Sequence, residues 1–210
     1  VGLSLLAVHI SDGAISTAWW AAGFGGAALL LLPAWWRLTE EEIPRIGVLT
    51  AAFFVASSIH FKLLVTSVHL ILNGLVGVVL GRRAPLAVSV GLVLQCLLIG
   101  HGGLTTLGLN ACIIGLPAVA AGWLYPVLRR TGLPAFAAGF VLGASAVAAS
   151  TALNFLVLLF GGKDDWERLA ELVLLAHVPV VVVEGLMLGV IVRYLEKVKP
   201  ELLRPGERSA

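Results

Sequence analysis

Five histidines are the residues best suited to chemistry, at positions 9, 60, 69, 101 and 177. Imidazole nitrogen is a borderline donor that suits late divalent first-row metals. Each histidine alone also fits an interfacial hydrogen-bonding role, but several together favour a metal site. His9 lies in VHISDG, where Asp12 and Gly13 read as a turn that folds the N-terminal segment back into the protein. Asp12 reads as a turn former or helix cap rather than a ligand. His69 follows His60 by nine residues, a spacing not met on one helix face but easily met across a bend. His69 is expected to begin an apolar helix, where a site would be dry, and is the favoured ligand of the two. His60 fits a ligand, a partner of a ligand or an interfacial residue equally well. His101 opens the turn HGGLTTLG, whose glycines allow close backbone approach, so a residue that lines or covers the site and a bare loop are both open readings.

His177 and Glu184 lie seven residues apart in one apolar run, about two helical turns, and so share a face. Ionisable groups in such runs face a bundle interior, and a structural hydrogen-bonded role is expected of both. Cys96 and Cys112 stand in apolar stretches with no Cys-x-x-Cys spacing and read as small core residues. The phosphate-loop pattern is absent, because Gly161-Gly162-Lys163 runs into Asp164, so ATP hydrolysis is not expected of this chain. His-Glu-x-x-His and Gly-x-Ser-x-Gly are absent too, which argues against a zinc peptidase and a serine hydrolase.

The elements that must position these residues are membrane helices. The chain is 59% hydrophobic and 12% charged with mean hydropathy +1.01, outside the range of a soluble domain. Apolar runs between breakers predict an all-α integral membrane protein, a bundle of about seven transmembrane helices near 16–36, 43–59, 68–81, 84–100, 107–128, 134–160 and 166–195. The second and third runs are short, the mark of irregular backbone lining a site. With the N-terminus outside and the C-terminus cytoplasmic, eleven of the fourteen basic residues fall on the cytoplasmic side, and only Lys62, Lys163 and Arg168 outside. That places His9, His60, His69 and His101 together on the external face. Small residues in the first run (Ala18, Ala22, Gly26, with Ala21 and Gly25 beside them) and Gly185 and Gly189 in the last allow close helix approach, within the chain or to a partner. Residues 1–15 read as the metal-capturing segment, 16–196 as the bundle and 197–210 as a cytoplasmic tail.

Four blocks give the chain a resemblance to a known family: His9-Ile10-Ser11-Asp12-Gly13, Ser67-Val68-His69-Leu70, the run from Gly91 to Ala118 (GLVLQCLLIGHGGLTTLGLNACIIGLPA), and His177-Val178-Pro179 with Glu184-Gly185. It resembles CbiM and NikM, the cobalt- and nickel-specific substrate-capture (S) components of energy-coupling-factor (ECF) transporters. The resemblance implies a multi-pass protein of a prokaryotic cytoplasmic membrane that captures Co²⁺ or Ni²⁺ as its transported substrate and is not itself an enzyme. The partners it implies are a transmembrane coupling protein, two ATPase subunits and a small accessory membrane subunit, with no nucleic acid and no prosthetic group. Carried over onto this sequence, the capturing role falls to His9 with His69 as partner, and His60 and His101 are secondary candidates.

In such proteins the capturing histidine follows the initiator methionine, so that the free amine, the next backbone nitrogen and the imidazole wrap one metal in a plane, a geometry suited to Ni²⁺ or Cu²⁺. Here seven residues precede Val8, which turns that amine into an amide. The expectation is that translation starts at Val8, a GTG codon, with residues 1–7 a mis-annotated extension. Val8 is then a fifth candidate metal residue. Cobalt and nickel stay open. Two other readings are a vitamin-binding S-component, which needs an aromatic-lined pocket, and an intramembrane metal-dependent hydrolase, which needs a base such as Glu184 near the metal.

Overall fold

The computed structural model describes residues 9–59, 61–63, 66–163 and 167–203. The order is α1 (Thr17–Trp35), α2 (Ile43–Ser58), a hairpin of β1 (Phe61–Leu63) and β2 (Thr66–Val68), α3 (Asn73–Leu80), α4 (Ala84–Ile99), α5 (Leu107–Arg130), α6 (Ala135–Gly161), α7 (Glu167–Ala176) and α8 (Val178–Val198). Among the described residues the fold is therefore helical but for one two-stranded antiparallel hairpin that pairs Phe61 with Val68 and Leu63 with Thr66. Among the described residues, five stretches are long and apolar enough to cross a membrane: Thr17–Trp35, Asn73–Ile99, Leu107–Arg130, Ala135–Gly161 and Ala170–Val198. α2 has 16 residues, just short of that length.

The stretch Asn73–Ile99 is not one straight rod. Gly81 takes φ +54°, a left-handed conformation that only glycine adopts freely, and a 3₁₀ turn follows over Gly81–Arg83. The rings of His69, before α3, and His101, after α4, lie 5.5 Å apart, so both ends of the stretch return to the same end of the bundle. α3 has only 8 residues, about 12 Å of helix at 1.5 Å per residue. His69 to Leu72 supply the rest of the descent in a non-helical conformation. This corrects the expectation that His69 begins a helix: it stands four residues before α3, and the N–H groups of Ile71 and Leu72 bond to the Glu184 side chain, so that stretch needs no helical partners. The last predicted run also divides, at His177, and α8 starts with Pro179 in its first turn, where the missing N–H is harmless.

Packing follows residue size. A Cβ on Gly77 of α3 would stand 1.9 Å from the Ala118 carbonyl oxygen of α5, so these helices touch backbone to backbone. Gly185 and Gly189 of α8 abut Phe140 and Phe136 of α6, which makes their packing intramolecular. α1 behaves differently: it buries only Gly23, Ala27 and Ala34 and turns Leu29, Leu32 and Trp35 outward, as suits a lipid-facing helix. Its small residues divide, with Gly26 facing the Cys112 sulfur while Ala18, Ala21, Ala22 and Gly25 are exposed.

The end opposite the histidines is tied by arginines. Buried Arg83 donates to both carboxylate oxygens of Glu42 (2.8 and 2.7 Å), to the Ala34 and Trp36 carbonyls (2.6 and 2.9 Å) and to the Arg37 carbonyl (2.6 Å). Its guanidinium holds the Glu42 carboxyl below the usual carboxylate range. Arg45 donates to the carbonyls of Val79 and Leu202, and Arg129 pairs with Glu196 at 2.6 Å. Lys62, Lys163 and Arg168 lie at the histidine end, where residues 14–16 bond to 161–163 and α7 lies against β2.

Candidate metal centre

His9, His69 and His101 converge. Their ring centroids are 5.0 Å (His9 to His69), 4.6 Å (His9 to His101) and 5.5 Å (His69 to His101) apart. One nitrogen from each lies within 4.8 Å of the other two. Nitrogens bound to one ion at about 2.0–2.1 Å are about 3–4 Å apart, so small ring movements close the set on a cation. His9 and His69 are buried, at 2% and 1% exposure, and His101 is half-buried. A largely buried imidazole trio offers nitrogen donors of the kind that suit a divalent first-row cation.

Each ring is held by backbone that another element completes. Asn110, in the first turn of α5, accepts the Ile10 N–H on Oδ1 and donates Nδ2 to the Ile10 carbonyl, both at 2.9 Å, as a neighbouring strand would. Thr106 Oγ1 donates to the same carbonyl at 2.6 Å. Asp12 takes the Thr105 N–H (2.8 Å), the Thr105 hydroxyl (2.5 Å) and the Leu104 N–H (3.1 Å). Partial burial pushes the Asp12 carboxyl up, but these hydrogen bonds outweigh it, and it titrates below its ordinary range. Asp12 and Gly13 form the expected turn, closed by the Ala14 N–H on the Ser11 carbonyl at 3.4 Å, while the Asp12 side chain caps the turn into α5 rather than the start of α1. Gly103 makes that possible, because a Cβ there would sit 2.3 Å from an Asp12 oxygen.

His69 places Nδ1 3.0 Å from the Leu70 carbonyl. A carbonyl only accepts, so Nδ1 carries the proton and Nε2 presents its lone pair, the tautomer a metal ligand needs. His101 follows Gly100 (φ +64°) and donates its N–H to the Gln95 carbonyl at 3.1 Å. His177 is no member of the cluster: it is fully buried at the junction of α7 and α8, with Nδ1 2.7 Å from the Val173 carbonyl. Glu184 Oε1 accepts the N–H groups of Ile71 (2.5 Å) and Leu72 (2.8 Å). Both therefore serve the hydrogen-bonded structure. Val8 and His60 lie outside the described residues. Asn110 and Thr106 belong to the run that carries the resemblance, but the sequence assigns neither a role, although a polar Asn inside LGLNACIIG is itself a signal in an apolar run.

A multi-pass helical bundle that gathers three imidazoles at one end defines a membrane protein of the metal-handling class. Residues 9–202 match the family model described as the cobalt uptake substrate-specific transmembrane region, CbiM. The chain belongs to the CbiM family. A Haemophilus influenzae relative named for metal transport is 32% identical over 206 residues, covering 95% of this chain and 98% of its own. The cobalt transport protein CbiM of Sorangium cellulosum is 30% identical over 215 residues, covering 93% and 94%. A crystal structure of a transition metal transporter superposes with TM-score 0.79 at 22% identity, over 90% of this chain and 93% of that one, which shows the shared fold. The family is one of transport proteins, not enzymes.

Proposed function

We propose that this chain is the substrate-capture subunit of an ATP-driven ECF importer for Co²⁺ or Ni²⁺, and that it takes the ion from outside through His9, His69 and His101. The convergence of three imidazole nitrogens within 4.8 Å carries this reading. Val8, next to His9 in the chain, and His60, next to β1, are further donors to test. Cobalt suits the site best if three imidazoles bind it, because they give a non-planar set; nickel gains if a backbone nitrogen before His9 joins in a plane.

The topology we infer is seven crossings, with α1, α2, the His69–Leu80 descent, α4, α5, α6 and α7–α8 each crossing once. The N-terminus is then outside and the C-terminus cytoplasmic. The basic residues support this, since Arg37, Arg45, Arg82, Arg83, Arg129 and Arg130 gather at the end opposite the histidines. With no phosphate loop in the chain, energy comes from two ATPase subunits through a transmembrane coupling protein, with a small accessory membrane subunit completing the complex in a prokaryotic cytoplasmic membrane. The test is Co²⁺ and Ni²⁺ uptake by cells carrying the transporter with His9→Ala or His69→Ala. Loss of uptake is expected, and undiminished uptake of both ions would refute the site.

A further inference from the structure

Glu184 is 2% exposed on α8, inside an apolar stretch of the bundle, and no metal ligand is needed to explain it. What it holds is the backbone next to His69. Ile71 and Leu72 have left β2 and not yet entered α3, so neither ladder nor helix supplies acceptors for their N–H groups. Away from water such groups must find acceptors within the protein. A single oxygen, Glu184 Oε1, takes the N–H of Ile71 at 2.5 Å and of Leu72 at 2.8 Å. Leu72 is held at φ +54°, a conformation that a non-glycine residue keeps only when its surroundings impose it. Its carbonyl accepts the Val76 N–H at 2.9 Å, and Asn73 is fixed in turn by donating to Ser150 Oγ at 2.8 Å.

The carboxylate stands on a rigid support. A Cβ on Gly143 of α6 would lie 2.6 Å from the Glu184 carbonyl oxygen, so α6 and α8 are in backbone contact at this level. The cluster is consequently split between two supports. His9 is held through Asn110 of α5, and His69 through Glu184 of α8. Gln at 184 keeps one acceptor oxygen but brings two N–H groups that need partners; Asp is a methylene short; Ala offers nothing.

We propose that Glu184 is a positioning residue for metal capture: by anchoring Ile71 and Leu72 it sets where His69 Nε2 stands, and so the affinity and coordination geometry of a divalent cation it never touches. This rests on the capture reading above. The test is Co²⁺ titration of the purified full chain in nanodiscs, followed by the visible absorption of bound Co²⁺, for wild type, Glu184→Gln, Glu184→Asp, Glu184→Ala and, as a fold control at the far end, Arg83→Ala. Loss of such a support weakens metal sites roughly 10–100-fold. Glu184→Asp and Glu184→Ala are expected to lose affinity in that range and to shift the Co²⁺ absorption bands, while Glu184→Gln, which keeps an acceptor oxygen, loses clearly less than Glu184→Ala. Should Glu184→Ala fail to fold, Glu184→Asp decides between the outcomes. Wild-type affinity and spectrum in both Glu184→Asp and Glu184→Ala would overturn the proposal. So would a Glu184→Gln as weak as Glu184→Ala, or an equal loss in an Arg83→Ala protein that melts at the same lowered temperature. Failure of the wild type itself to bind Co²⁺ would instead sink the capture reading.

Discussion

His9 reaches the cluster because Asn110 and Asp12 hold the four residues that begin with it. Asn110 satisfies both backbone groups of Ile10, and Asp12 ties the same loop to the turn that carries His101. Asn110→Ala removes two of these bonds and leaves the Ile10 N–H buried without its acceptor. A fall in Co²⁺ affinity of roughly 10–100-fold is expected, read by titration of the purified protein. Asp12 adds a pH limit whose sign is fixed. A carboxyl depressed by folding contributes stability that is complete above its unfolded value of 3.8 and is lost as pH falls through its lower folded value. The loop clasp therefore survives mild acid, and Co²⁺ released between pH 7 and 5 is displaced by protons on its ligands rather than by loss of the clasp. Asp12→Asn checks this: the variant should bind Co²⁺ more weakly at every pH, with the release curve unchanged in midpoint by more than its affinity loss accounts for.

Among the elements, α3 is the one whose shape matters most and whose sequence hides it. Gly77 lets it lie against α5, and a larger residue there must push the two backbones apart. Gly77→Val is expected to lower stability by about 1–3 kcal/mol and the melting temperature with it. Helices α1, α4, α5 and α6 are legible in the sequence within about two residues, because each is one unbroken apolar run with a turn signal at either end. The run at 68–81 is not. Its hydropathy is that of a buried helix, but the acceptor that lets Ile71 and Leu72 stay non-helical is Glu184, more than a hundred residues away. Period and composition carry no trace of so distant a bond. The same holds for the site. His9, His69 and His101 could be named from residue type and turn chemistry, whereas the Asn110 grip on Ile10 depends on which face of α5 meets the N-terminal loop.

For the molecule as a whole, the two ends differ in charge and in task. Arg83, with its five short hydrogen bonds, closes the end opposite the histidines. Arg83→Ala takes their donor from the Ala34 and Arg37 carbonyls, leaves the Trp36 carbonyl with Arg82 and Glu42 with Thr39, and is expected to lower stability by about 1–3 kcal/mol while Co²⁺ affinity stays at the wild-type value. Calorimetric melting and metal titration of one preparation separate the two effects. The proposed orientation predicts that a cysteine placed at Lys163 reacts with a membrane-impermeant maleimide on intact cells and one placed at Lys199 does not; the reverse pattern would invert the transport direction. The capture site itself is tested most directly by X-ray absorption spectroscopy of the Co²⁺-loaded protein. Three converging imidazoles should give scattering from three histidine rings per ion, falling to two in His101→Ala. Fewer than three in the wild type, with no change on removing His101, would contradict the site.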